Sequence, residues 1–536
     1  MFSLQTAQTL ASSAYIASSG MSPTEEHTQV LAGIKTHLKK LQGLEHAMAL
    51  MGWDIETYMP KQGVAPRGEA YGTLSGMYHE LLTDTVFANA VEKLGEKLQM
   101  LHAEYPTVQG LSFQESVAIK KLYKRIQQAK KVPTRLVEAL SEASSKAQPA
   151  WVEARKTNQF KHFQPHLETL VSLTKEYADC LGWTAHRYDA LLDEYEEGLT
   201  VAKLDPLFSE LQAGLTQLLD TLGDRLSPSR FPWRVRTVDV ETQKLMSQAL
   251  AKHLGFNLEA GRIDEAAHPF CSGSSAMDVR LTNRYFPQDW TSSLFSLLHE
   301  TGHGLYEQGI PQRLHPLGLA EGASMAVHES QSRLWENLVG RSLPFWSHAY
   351  GVLRGMCQSR GITALDDVDL LTFHRGVNCV TPSLIRVEAD EVTYNLHVIV
   401  RYTLEKQLMD GSLAVADLPE AWNTLYEMYL GVRPTTDTEG CLQDVHWSHG
   451  SFGYFPTYTL GNLYSAMILK KAEADIPTLW NHIATGDCAV LRQWLSVNVH
   501  QYGKLYTPEQ LLTNLTGEPL SMKPFLNYLE AKYLAL

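Results

Sequence analysis

The sequence predicts a mainly α-helical fold with one small β-sheet beside a helix that carries metal-ligating residues. Three observations lead there. Apolar residues recur at helical spacing through most of the 536-residue chain. The stretch 227–290 breaks that rhythm with Pro228, Pro232, Pro269 and Pro287 and with alternating polar and apolar runs. Shortly after it stands His299-Glu300-Thr301-Gly302-His303, an HExxH pattern whose two histidines share one face of a helix.

The elements follow in order. Residues 1–22 have neither a basic start nor a continuous apolar core. They make a poor signal peptide and read as a disordered extension, with Met21 an alternative start. Residues 23–536 read as a single domain, with a helical N-terminal part over about 23–230 and a metal-binding part over about 231–536. Ser22-Pro23-Thr24-Glu25 opens a helix whose apolar positions are Leu31, Ile34, Leu38, Leu41, Leu44, Met48 and Met51. It ends near Trp53-Asp54, and Pro60 forbids a simple continuation. Helical patterns then run to about residue 230, including 164–182 and 204–226. Trp233 to Val238 and Asp278 to Thr282 alternate like short strands. The metal-bearing helix has Asp289 or Ser292 as a cap, an apolar stripe of Leu294, Leu297, Leu298 and Leu305, and a stop at Gly309 and Pro311. Gly302 and Gly304 mark close backbone approach, read as the passage of a substrate chain. Further helices are expected near 321–339, 344–358, 384–409, 417–431, 456–472, 489–498, 507–513 and 523–534.

Composition narrows the function classes. With 44% hydrophobic and 20% charged residues the chain is ordinary globular material. Net charge is −13, and no basic run exceeds pairs such as Lys39-Lys40 and Lys130-Lys131. Nucleic acid is therefore not an expected partner. No apolar run reaches the roughly 18 residues of a membrane span, so no membrane partner is expected. Cys180, Cys271, Cys357, Cys379, Cys441 and Cys488 are scattered without a CxxC, which points to a reducing compartment, the cytoplasm.

HExxH suits metal-assisted hydrolysis, usually of a peptide bond. His299 and His303 bind the ion, and Glu300, about 100° further round the helix, reaches a water. A third protein ligand is required. Glu307, Glu321, Glu329 and Glu336 are the candidates. Glu307 lies too near on the same helix to bend back easily. Glu329 sits among Met325, Ala326 and Val327, in a buried setting where a carboxylate must be paired or metal-bound. The alternative for Glu329 is an i,i+4 pair with Arg333.

Six ordered motifs then resemble the carboxypeptidase Taq family of zinc metallocarboxypeptidases. They are His268-Pro269-Phe270, Asp278-Val279-Arg280-Leu281-Thr282, the HExxH, His328-Glu329-Ser330-Gln331, Ile385-Arg386-Val387-Glu388-Ala389-Asp390, and Gly440 to Trp447 read as GxxQDxHW. Trp53 to Pro60 also fits, so the resemblance spans about residues 25–536. It implies a helical peptidase with a deep substrate groove, similar to neurolysin and angiotensin-converting enzyme. It implies one zinc ion on His299, His303 and Glu329, with Glu300 as general base; cobalt or manganese can substitute. It implies a homodimer that removes C-terminal residues from peptides with broad specificity. The segment His446 to Tyr458 resembles the oxyanion-stabilising segment of neurolysin-like peptidases, with His446, His449, Tyr454 and Tyr458 as candidates. Arg386 is the candidate clamp for a free C-terminal carboxylate, because a guanidinium fork matches that group. Its alternative is an i,i+4 pair with Asp390. Arg280 is implied at the closed end of the groove, and His268 is a weaker substrate contact. Two other functions compete: an endo-acting oligopeptidase with the same metal chemistry, and a non-catalytic helical peptide-binding protein.

Overall fold

The structure, a computed structural model, describes residues 23–99 and 107–536. The expected disordered extension over 1–22 lies outside the described residues. Among the described residues, helices run from Pro23 and from the C-terminal part toward one three-stranded sheet.

The first unit is α1 (Pro23–Glu56), α2 (Val64–Leu82), α3 (Thr85–Gln99) and α4 (Phe113–Lys131). It has its own apolar cluster. Ile34 and Leu41 of α1 meet Phe87, Val91, Leu94 and Leu98 of α3 and Ile119, Leu122 and Ile126 of α4. These residues repeat at three- and four-residue spacing, which places them on one stripe of each helix. A capping box formed by Ser112 and Glu115 starts α4.

The second cluster runs on through α5 (Thr134–Thr157), α6 (Phe160–Leu181), α7 (Tyr188–Tyr195), α8 (Val201–Leu222) and α9 (Val240–Leu254). A three-stranded sheet follows: β1 (Gly261–Glu265), β2 (Cys271–Ser275) and β3 (Asp278–Asn283). Its order is β1-β3-β2, with β3 parallel to β1 and antiparallel to β2. The expected strand at Asp278 to Thr282 is β3. The expected strand at Trp233 to Val238 is corrected. Pro232 opens a 3₁₀ turn there, and Trp233 turns inward to stack against Phe373 and Trp290 while Val235 stays exposed. The side chains do not alternate between two faces, so no pleat forms.

Helix α10 (Trp290–Gly309) leaves the sheet. After it come α11 (Met325–Arg333), α12 (Leu343–Ser359), α13 (Leu370–Val377), α14 (Tyr394–Asp410), α15 (Leu418–Leu430), α16 (Pro456–Asp475), α17 (Leu479–Ala484), α18 (Ala489–Asn498), α19 (Pro508–Thr516) and α20 (Lys523–Ala535). The expected helices from 321 onward are present, with two differences. Beyond α11 the backbone widens into a π-helix over Leu334–Val339. The expected helix over 384–409 begins only at Tyr394. Before it Arg386–Glu388 is a single 3₁₀ turn, because Asp390 captures the backbone N–H groups of Thr381, Val392 and Thr393 and bends the chain. No helix among the described residues is long and apolar enough to cross a membrane.

Candidate functional site

Helix α10 is held from three sides. Its stripe of Leu294, Leu297, Leu298 and Leu305 is buried, with Val279 and Leu281 of β3 in the same apolar cluster. Gly302 faces α11, where a Cβ would lie 2.5 Å from the carbonyl oxygen of Gln331. Gly304 faces Phe256 and Leu281. The reading of these glycines as a passage for substrate is therefore corrected: the close neighbours are the protein's own backbone and core. Helix α11 begins on Ser324, whose hydroxyl accepts from the N–H of Val327. It is pressed against α16 at Gly461, where a Cβ would meet Glu329 Cγ at 2.5 Å. Alanine at either glycine forces two helices apart.

This packing brings three donors together. His299 Nε2 and His303 Nε2 lie 3.6 and 3.4 Å from one oxygen, Glu329 Oε2. Two donors bound tetrahedrally to one ion at zinc distances are about 3.4 Å apart. The three residues form a group able to hold a metal ion, and their donor chemistry, two imidazoles and a carboxylate, suits a divalent cation. The other Glu329 oxygen accepts from Arg333 Nε at 2.7 Å. The i,i+4 pair and the ligand position are thus both present, one on each carboxylate oxygen. Burial alone would raise the Glu329 carboxyl, but Arg333 and His299 outweigh it and hold it well below the usual range. Glu300 lies buried beside the group, and burial pushes its carboxyl up to about 7.

Each of the other candidate third ligands has another partner. Glu336 accepts from His299 Nδ1 at 2.8 Å and pairs with Arg333 at 3.1 Å. The π-helical stretch carries it to that point. Glu307 pairs with His328, and Glu321 pairs with Lys504 at the surface. Around the three donors, the carboxylates Glu300, Glu307, Glu329 and Glu336 outnumber the guanidiniums Arg333 and Arg341. Buried carboxylates in excess favour a cation among them.

A second cluster has the opposite balance. Arg386 is buried, with Nε and Nη2 both on Asp444 Oδ1 at 3.0 and 2.8 Å and Nη1 on the Tyr394 hydroxyl at 2.9 Å. Arg401, fully buried, takes the other Asp444 oxygen at 2.6 Å. Two guanidiniums share one carboxylate. The alternative pairing of Arg386 with Asp390 does not form, since Asp390 serves the backbone. The clusters are linked through Tyr394, whose ring lies 4.3 Å from the Arg333 guanidinium and whose hydroxyl meets Arg386. Arg401, Asp444 and Tyr394 were not among the sequence candidates. Only Asp444 had a signal, its place in the GxxQDxHW stretch.

Tyr454 and Tyr458 pack edge to face at 5.3 Å, and both hydroxyls lie within electrostatic reach of Glu329 and Arg386. Tyr458 bonds His446 Nε2 at 3.2 Å and lies 4.8 Å under the Arg386 guanidinium. Burial pushes the His446 imidazole down to about 3. His449 is exposed, with Glu56 of α1 the charge nearest in effect. Arg280 forms a two-point pair with Asp278 and lies 4.4 Å over the Trp53 ring. The His268 side chain is exposed on the loop before β2.

Known proteins resemble this chain over most of its length. The model of the carboxypeptidase Taq (M32) metallopeptidase family matches residues 33–533. Thermostable carboxypeptidase 1 of Thermus thermophilus is 42% identical over 498 residues, covering 91% of this chain and 95% of the relative. The M32 carboxypeptidase structure from Deinococcus radiodurans superposes with a TM-score of 0.89 at 35% identity, covering 94% of this chain and 98% of that one. The Pyrococcus furiosus carboxypeptidase gives 0.88 at 35% identity, covering 94% and 99%. The chain belongs to this family of metallocarboxypeptidases and is a peptide hydrolase.

Proposed function

We propose that this member of the carboxypeptidase Taq family removes C-terminal amino acids from peptides of broad sequence, using one zinc ion per chain held by His299, His303 and Glu329. The observation that carries the reading is the pairing of an acidic three-donor group with a cationic cluster, joined through Arg333 and Tyr394. One pole suits a dication. The other suits the carboxylate that every peptide C-terminus carries. Cobalt or manganese fits the same donors.

When bound, the ion supplies Lewis-acid activation of the attacking water and the scissile carbonyl. The chain's own residues do the rest. Glu300 accepts the proton of the attacking water and delivers it to the leaving amine. The hydroxyls of Tyr454 and Tyr458 donate to the oxyanion that forms on the carbonyl. His446 holds Tyr458 through the 3.2 Å bond. Arg386 binds the terminal carboxylate with the N–H groups that Asp444 and Tyr394 leave free. Arg280, braced by Asp278 and Trp53, closes the far end of the groove, His268 contacts substrate, and His449 belongs to the oxyanion-stabilising segment.

The remaining proposals concern setting. Residues 23–536 act as one domain, in a homodimer. The six cysteines are free thiols, which supports a reducing compartment, the cytoplasm.

The deciding experiment pairs metal analysis with a cleavage ladder on one peptide, unblocked and C-terminally amidated. The unblocked peptide should be shortened one residue at a time and the amidated one spared. Equal cleavage of both would replace this reading with the endo-acting oligopeptidase. Purified protein that binds no divalent metal and cuts neither peptide would return the non-catalytic reading.

A further inference from the structure

The two histidines of α10 are held in different ways. His299 Nδ1 meets a carboxylate directly, Glu336 at 2.8 Å. His303 Nδ1 meets another imidazole nitrogen, His328 Nδ1, at 2.5 Å. The opposite nitrogen of that ring, His328 Nε2, meets Glu307 Oε1 at 2.7 Å. All three side chains are largely buried, at 15%, 19% and 17% exposure for His303, His328 and Glu307. The His328 ring is set against the Tyr306 ring at 5.2 Å, and the Tyr306 hydroxyl is itself fixed by the N–H of Ala323.

We infer that Glu307 and His328 are positioning residues for the metal centre, acting as a two-step relay that selects the tautomer and ring plane of His303. The direction of the relay follows from what each group can do. An ionised carboxylate only accepts, so His328 Nε2 carries a hydrogen and donates to Glu307. In the neutral ring, His328 Nδ1 is then the acceptor. The hydrogen between the two imidazoles therefore sits on His303 Nδ1. That leaves the His303 Nε2 lone pair free on the atom that lies 3.4 Å from Glu329 Oε2. Without the relay His303 is free to place its hydrogen on Nε2, in a hydrogen bond to Glu329, and a ring in that state offers the metal nothing. Glu307 was rejected as a ligand on spacing. Its part is to hold the group that holds the ligand.

The inference rests on the proposed ligand set, and the test separates the two. Zinc dissociation constants are measured by chelator competition for wild type, His303→Ala, Glu307→Ala, Glu307→Gln, His328→Phe and the Glu307→Ala/His328→Phe double variant. Far-ultraviolet circular dichroism confirms folding. Loss of zinc binding in His303→Ala tests the ligand set alone. His328→Phe should then weaken zinc by about 10- to 100-fold, within the range for loss of a ligand's hydrogen-bonding partner. Glu307→Ala should weaken it less. The double variant should match His328→Phe, since Glu307 acts only through that ring. Glu307→Gln, which keeps an acceptor oxygen, should recover most of the affinity. Wild-type affinity in folded His328→Phe would overturn the relay. So would losses that multiply in the double variant, or a Glu307→Gln no better than Glu307→Ala. If His328→Phe does not fold, the contrast between Glu307→Gln and Glu307→Ala decides alone.

Discussion

The two halves of the site are built from opposite charge by opposite routes. The metal half comes from neighbouring sequence. His299, His303, His328, Glu329, Arg333 and Glu336 all lie on α10, α11 and the π-helical turn that extends it, and carboxylates dominate. The half proposed here for recognition is assembled from distant segments: Arg386 from a 3₁₀ turn, Arg401 from α14, Asp444 from the loop before His446, Tyr454 from the turn before α16 and Tyr458 from the first turn of α16. There guanidiniums dominate. Helical spacing aims His299 and His303 at one point, and the packing of the next helix against α10 adds Glu329 from only 26 residues away. Recognising a chain end requires charge set at a distance from the ion, and only tertiary packing can supply that distance.

Four changes test this division, in falling order of effect. Glu329→Ala should abolish both metal retention and peptide cleavage, measured by metal analysis after gel filtration. Full occupancy in that variant would mean that the third ligand is another residue. Glu300→Gln should keep the metal and lose about 10²- to 10⁴-fold in kcat, the range of a general acid-base group. A comparable loss of metal would move Glu300 from chemistry to structure.

Arg386→Ala probes the basic half. It should lower kcat/KM for free C-termini by roughly 10- to 100-fold, the scale of one charge-assisted bond, with no change in zinc content. An equal loss on amidated peptides would assign Arg386 to packing around Asp444 instead.

The last change is read in stability rather than catalysis and concerns Glu405, which anchors the 446–458 segment by accepting from Trp447 Nε1 at 2.7 Å and the N–H of Gly453 at 2.9 Å. Burial raises its carboxyl to about 7 in the fold, against 4.5 as the ordinary value. A raised acid contributes stability that is fully present below pH 4.5 and lost as pH rises through 7. Glu405→Gln should therefore melt relatively higher than wild type on going from pH 5 to pH 8, by no more than about 3 kcal/mol. A gap in melting temperature that does not change with pH would show that Glu405 keeps its charge state across that range.

Legibility in the sequence followed the same division. The α10 stripe, the HExxH face and strand β3 were readable because helical and strand periods are local rules, whereas Glu329 stood out by its apolar neighbours and by the family resemblance. Glu336 was weighed as a ligand, but its hydrogen bond to His299 depends on a π-helical widening that no spacing rule announces. Gly302 was noticed for the right property and given the wrong neighbour, since a single sequence does not say which backbone comes close. Gly461 was not noticed at all; within an apolar helix it resembles any other small residue.

By itself the sequence determined the helical class, the small sheet and, through its ordered motifs, the family, and it named His299, His303 and Glu329 as the ligands proposed here. Those properties depend on residue identity and short spacing. The tertiary structure decided which partner each charged group takes: Glu336 and Glu307 behind the histidines, and Asp444 between Arg386 and Arg401. Hydrogen bonds and ion pairs act over about 3 Å, and which groups come that close across 43 to 58 residues of chain is settled only when the helices pack.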